Sequence, residues 1–250
     1  MRWVYLSPHF DDVVFSCGGH VWEQAQLGVE QSVEIWTVCA GGPKVGEPLS
    51  AFAQSLHDRW QTGPDAVSIR RFEDEASGQR LGVNLRYWDL PDCIYRPLRS
   101  NGWLVNGEAD LWVTLPSAEE VTIQRLCQWL LSELQPTDQL VAPLALGNHI
   151  DHQLVRTAAE RVVHERGCSL WYYADYPYAV RDEAVVSKVA PGWQKSCRPV
   201  SEAALAAWQA AIACHTSQIS TFWGGLDEMR ASIKTYWLTG GGACLWQAHE

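Results

Sequence analysis

The chain has 250 residues, 47% hydrophobic and 19% charged, which suits one well-buried α/β domain and is short for two. Its formal net charge of −10 and the lack of any dense basic run argue against a nucleic-acid backbone as partner. No apolar stretch reaches the roughly 18 residues of a membrane span, and a strand begins almost at the N-terminus, leaving no room for a signal peptide, so a cytoplasmic protein is expected.

Arg2-Trp3-Val4-Tyr5-Leu6 is a run of β-formers, broken by Ser7-Pro8 and followed by His9-Phe10-Asp11-Asp12. A helix is predicted from about residue 13 to Gly28. His9 and Asp12, three apart, can point at one spot when the chain turns helically between them, and could supply two ligands to a divalent metal. Asp11 is left free. The same residues also fit a purely structural strand end, with His9 bonded to one aspartate and another capping the helix. Residues 33–39 form a second strand closed by Ala40-Gly41-Gly42-Pro43, a βαβ opening that predicts a parallel sheet. No Gly-x-Gly-x-x-Gly follows the first strand, which disfavours dinucleotide binding. Residues 48–81 are predicted helical with a break at Thr62-Gly63-Pro64, and Arg70 and Glu73 are spaced to pair on one face. Residues 84–88 form a short strand delivering Asp89-Leu90-Pro91-Asp92 to the sheet edge. Residues 94–116 are an irregular insertion placed to shape the site mouth. Ser117 and Glu120 have capping-box spacing ahead of a helix running to about Gln135.

The apolar run Leu140-Val141-Ala142-Pro143-Leu144 leads into Gly147-Asn148-His149-Ile150-Asp151-His152 and a helical pattern carrying Leu154, Val155, Ala158 and Ala159. Two histidines and an aspartate thus follow a second strand as His9 and Asp12 follow the first. Open α/β sheets gather ligand sites at the carboxyl ends of their strands. Two such loops can close one metal site with a position left for water, so the pair outweighs the structural reading of either alone. Residues 169–174 form a further strand ending at Asp175-Tyr176-Pro177-Tyr178, where the tyrosines either pack or contact substrate. Residues 185–189 and 194–199 suggest a hairpin, and 201–215 an alanine-rich helix. The eight cysteines show no Cys-x-x-Cys and are read as reduced core residues; the fourteen tryptophans are assigned to burial, and none to the site.

The first loop resembles the Pro-His-x-Asp-Asp signature of the LmbE-like, or PIG-L-type, N-acetylglucosamine deacetylases, and His149 to His152 resembles their His-x-x-His motif. Arg70 to Glu73 resembles the family's Arg-x-x-Glu helix, and Leu90-Pro91-Asp92 its Leu-Pro-Asp-Gly loop, with Cys93 in place of glycine. The resemblance covers about residues 3–220 and implies one Rossmann-like domain over 1–250, a mostly parallel sheet with helices on both faces. It implies zinc, with iron(II) as the alternative, held by His9, Asp12 and His152. Asp11 would be the general base, His149 an oxyanion stabiliser or acid, and Asp151 the group that holds His149 in its useful tautomer. Arg70 and Asp92 would contact substrate, an N-acetylated sugar conjugate whose acetyl group is hydrolysed. Another metal-dependent hydrolase and a non-catalytic sugar-binding protein of the same fold are the rival readings, and a homo-oligomer is compatible with the sequence.

Overall fold

The computed structural model describes residues 1–28, 31–98, 102–181 and 185–248. One seven-stranded sheet runs through the molecule in the order β3-β2-β1-β4-β5-β7-β6. Its strands are β1 (Arg2–Ser7), β2 (Ser32–Thr37), β3 (Asn84–Tyr87), β4 (Gln139–Pro143), β5 (Ser169–Tyr173), β6 (Gln194–Cys197) and β7 (Cys244–Gln247). The first five are mutually parallel, and β7 and β6 close the far edge antiparallel.

Parallel strands are buried on both faces, so their side chains feed two cores alternately. Val4 and Leu6 of β1 face one core while Tyr5 faces the other, and β4 repeats this with Leu140 and Ala142 against Val141. The first core is completed by α4 (Glu120–Glu133) and α5 (Ile150–Arg166). The second is completed by α1 (Asp12–Ala25), α8 (Glu202–Ile212) and α10 (Leu226–Leu238), with α3 (Ala66–Leu81) packed beside α8.

The close approach of α1 to α8 has a sequence cause. A Cβ on Gly18 would lie 2.5 Å from the Trp208 ring, and one on Gly19 would lie 2.7 Å from Val200. The helix is kinked at Cys17 (φ −148°), and the Trp208 indole N–H donates to the Val14 carbonyl at 2.6 Å. Bulkier residues at 18 or 19 would push the two helices apart.

Helices α2 (Ala51–Trp60) and α3 meet at a 3₁₀ turn over Gly63–Asp65, which is the expected break. Three expectations are corrected. Beyond a short α6 (Tyr178–Arg181), the segment Val185–Val189 is a short helix, α7, and β6 pairs with β7 rather than with it, because the unassigned tail supplies a better edge partner in Cys244–Gln247. Ser117 opens a 3₁₀ turn without a side-chain cap, so the capping box does not form. Cys197 and Cys244 form a disulfide across the β6–β7 register, leaving six of the eight cysteines as free thiols. No helix among the described residues is long and apolar enough to cross a membrane.

Candidate active site

The chain winds outward from β1 through β2 to β3, then restarts on the other side of β1 with β4 and β5. The change of direction leaves a crevice at the carboxyl ends of β1 and β4, the place where open α/β sheets bind ligands. Four loops enter it: His9 to Asp12 after β1, Asp92 after β3, His149 to His152 after β4, and Asp175 after β5. The crevice opens into a cavity of about 280 Å³.

Asp12 sits between two imidazoles. Its Oδ2 lies 3.2 Å from His9 Nδ1 and its Oδ1 lies 3.3 Å from His152 Nε2. The outer nitrogen of each ring is held by a different carboxylate. His9 Nε2 is 3.1 Å from Asp151 Oδ2, and His152 Nδ1 is 2.6 Å from Asp175 Oδ1. Carboxylates in that position fix ring orientation and leave the inner nitrogens facing a common point, as in carboxylate–histidine–metal triads. His9, Asp12 and His152 present one ligand atom each within 4.8 Å of one another. Two imidazole nitrogens and a carboxylate suit a divalent transition metal with open positions, so the residues present fit the expected ion.

The electrostatics say the same. Five buried or half-buried carboxylates (Asp11, Asp12, Asp92, Asp151, Asp175) meet here against the guanidiniums of Arg70 and Arg96. Burial pulls the His152 imidazole down, but Asp12 and Asp175 together outweigh it and push it up to about 10. Burial opposes ionisation of Asp12, yet His152 and His9 hold it well below the usual carboxylate range. A cluster so rich in negative charge is one that a cation completes.

Asp11 adjoins this point without a bond to either imidazole. It stands at the N-terminus of α1 but makes no side-chain cap there. Its Oδ1 accepts from Arg70 Nη2 at 3.3 Å. Burial raises its pKa while the Arg70 charge pulls it back. Arg70 reaches the site from α3, 4.0 Å from Asp92 and stacked over Trp60 at 4.9 Å.

His149 is the N-cap of α5, and its Nδ1 accepts from the Asp151 backbone N–H at 3.2 Å. A neutral ring bonded this way carries its proton on Nε2. Burial and the neighbouring His9 and His152 push its pKa well below the ordinary histidine value, so the ring is neutral. The loop that brings His149 here needs left-handed backbone at Ala145, Gly147 and Asn148, with φ of 57°, 80° and 66°. Gly147 also touches the Tyr178 ring, where a Cβ would clash at 2.4 Å.

All eight residues expected from the sequence therefore meet at this crevice, although two side-chain pairings differ. The Asp151 carboxylate does not touch the His149 ring; it accepts from His9, the Cys93 backbone N–H at 3.0 Å, and Arg96. Arg70 and Glu73 do not pair, because Arg70 turns to Asp11 while Glu73 accepts from Thr216 Oγ1, Ser217 N and Ser217 Oγ at 2.6, 2.8 and 2.6 Å. Asp92 takes the Ile94 N–H at 3.2 Å and lies 3.6 Å from His9.

Sequence reasoning missed Asp175, Arg96 and the helix α9 (Thr216–Phe222), which brings Gln218, Thr221 and Phe222 to the cavity wall. Asp175 carried a readable signal, since it too ends a strand. The other two carried none, because their partners lie 55 and about 140 residues away. The assignment of every tryptophan to burial is also corrected. Trp60 and Trp112 line the cavity, with Glu108 and Leu111 from the 94–116 insertion; positions 99–101 of that insertion lie outside the described residues.

Residues 4–163 match the family described as PIG-L: GlcNAc-PI de-N-acetylase, and the chain belongs to that family. Its relatives include the 2'-N-acetylparomamine deacetylases of Niallia circulans, 28% identical over 70% of this chain, and of Streptomyces fradiae, 31% identical over 74%. Those alignments span 66% and 60% of the two relatives' lengths. Among solved structures, the zinc-inhibited form of a teicoplanin deacetylase superposes with a TM-score of 0.83 at 29% identity, covering 98% of this chain and 97% of that one.

Proposed function

We propose that this chain is a metal-dependent amide hydrolase that removes the acetyl group from an N-acetylated amino sugar within a larger conjugate. The observation that carries this is the convergence of His9, Asp12 and His152 on one point with Asp11 alongside, bonded to neither imidazole. The deacetylases among its relatives support the same reading.

A divalent ion held by His9, Asp12 and His152 would act as a Lewis acid on the amide carbonyl and bring the pKa of a bound water toward about 7. Zinc is the ion proposed, with iron(II) suited to the same donors. Asp11 takes the proton of the attacking water at its carboxylate and returns it to the departing amine nitrogen. Arg70 keeps Asp11 ionised and aimed while leaving one carboxylate oxygen for the water. His149, neutral with its proton on Nε2, donates to the oxygen that becomes negative as the tetrahedral centre forms. Asp151 and Asp175 position the two ligand histidines. The products are acetate and the free amine.

The cavity wall carries the apolar Phe52, Leu56, Trp60, Leu111, Trp112 and Phe222 beside the polar Arg59, Glu108, Gln218 and Thr221. A wall of both kinds accommodates the polar sugar together with an apolar part of its conjugate. The Cys197–Cys244 disulfide weighs against the cytoplasmic placement expected from the sequence, since reducing compartments keep thiols free. Thiol titration of protein isolated under alkylating conditions decides it: six reactive thiols after denaturation fit an oxidising compartment, and eight restore the cytoplasm.

The direct test is acetate release from a panel of N-acetylhexosamine conjugates with polar and apolar aglycones. Asp11→Asn should reduce turnover by about 10²–10⁴-fold with metal still bound near one per chain. A variant that turns over at the wild-type rate removes Asp11 from the mechanism. No release from any conjugate by metal-loaded protein would favour a different acyl substrate.

A further inference from the structure

A second cavity of about 290 Å³ lies away from the catalytic crevice, between β1, the C-terminal half of α1 and the β6–β7 edge. Its walls include Trp3, His20, Trp171, Cys197, Arg198 and Leu245. Three side-chain nitrogens around it are buried and have no hydrogen-bond partner: Trp3 Nε1, His20 Nε2 and Arg198 Nε. Buried polar atoms are nearly always satisfied by protein, water or ligand, and three orphans on one cavity mark it as a place to look for a bound partner.

The chemistry of the orphans narrows the ligand. An indole N–H and a guanidinium N–H only donate. His20 donates from Nδ1 to the Ala243 carbonyl at 3.0 Å, so its neutral ring carries an acceptor lone pair on Nε2 and stands outside the donor pair. Arg198 makes no ion pair among the described residues. Glu23 is the acidic group whose charge reaches His20, and its Oε1 is engaged by the Ser201 N–H at 2.9 Å. Two unused donors, one of them cationic, call for acceptor oxygens with negative charge. The remaining walls combine the polar Gln24 and Ser196 with the apolar Trp171, Pro199 and Leu245. The Trp3 and Trp171 rings stand 6.3 Å apart and tilted by 43°, the Trp171 N–H is already spent on Gln139 Oε1 at 3.0 Å, and Leu245 lies beside them. A free inorganic anion would leave those ring faces uncovered.

We propose that this cavity binds a small organic carboxylate, its oxygens accepting from Arg198 Nε and Trp3 Nε1 and its planar apolar body lying against Trp171 and Leu245. The site is independent of the deacetylase reading. The β6–β7 disulfide, one residue before Arg198, ties this wall to the sheet.

Calorimetric titration of the full chain with sodium benzoate tests it, with sodium phosphate at matched ionic strength as the second arm. Saturable one-site binding of benzoate is expected, tighter than phosphate, weakened at least tenfold by Arg198→Met, with acetate release unchanged. Because a carboxylate can also bind at the catalytic centre, the ¹⁵N shift of the His20 ring is followed as well. It should move on benzoate addition in wild type and in Asp12→Asn alike, a readout that stands even if Arg198→Met fails to fold. Tighter phosphate binding would overturn the organic carboxylate. Benzoate binding that Arg198→Met leaves intact, or an unmoved His20 signal, would place the ligand elsewhere. No saturable binding of either probe would mean that water alone satisfies the three nitrogens.

Discussion

Asp175 holds the proposed metal ligand His152 from behind. It takes His152 Nδ1 at 2.6 Å with one oxygen and the Leu146 N–H at 3.0 Å with the other, so it sets both the ring and the loop that carries it. Asp175→Asn keeps the shape but weakens the hold on the ring. Loss of such an outer partner typically costs ten- to a hundredfold in metal affinity. Competition with a fluorescent chelator should show that loss, with Asp12→Asn far weaker still; unchanged affinity in Asp175→Asn would reduce Asp175 to a loop anchor. Asp151 does the equivalent for His9 under heavier charge, with Arg96 completing the arrangement.

Among the elements, α3 joins the candidate metal centre to the cavity wall. One turn of it sends Arg70 to Asp11, and the next residue on that side, Glu73, clamps the start of α9 through three bonds. Helix α9 in turn forms cavity wall with Gln218, Thr221 and Phe222. Glu73→Ala leaves the buried N–H and hydroxyl donors of Ser217 unsatisfied and should cost about 3 kcal/mol of stability. Well below the melting temperature it should raise KM several-fold and leave kcat within about twofold. Glu73→Gln, which keeps an acceptor oxygen, should recover most of both. A KM that does not move in Glu73→Ala would leave α9 outside the substrate site.

At the scale of the molecule, buried titratable groups set how the protein meets acid. His20 is pushed down to about 4, chiefly by burial, with the Ala243 carbonyl acting the other way and the Arg198 charge adding to it. Its ordinary value is about 6.5. Above that, native and unfolded rings are both neutral and the group contributes nothing to the pH dependence. As pH falls from about 6.5 toward 4, the unfolded chain takes up a proton that the native ring refuses, so stability is lost over that window. The full loss approaches roughly 3 kcal/mol. Urea unfolding at pH 7 and pH 4.5 should therefore differ less in His20→Asn than in the wild type. An equal difference in both would show that His20 titrates normally in the native state.

The parts legible in the sequence were those with local causes. Apolar runs and β-formers mark β1 to β5, Thr62-Gly63-Pro64 marks the break before α3, and the His/Asp pairs after β1 and β4 mark the candidate site, because each strand end in a parallel sheet delivers its loop to one edge. What only the tertiary structure decided depends on partners distant in the chain. The Glu73 clamp on α9, the Arg96–Asp151 pair, the union of β6 with a tail strand and the disulfide between them each join residues about 47 to 144 positions apart. Spacing within a segment carries no information about such pairings. They are set by which surfaces the two cores bring together.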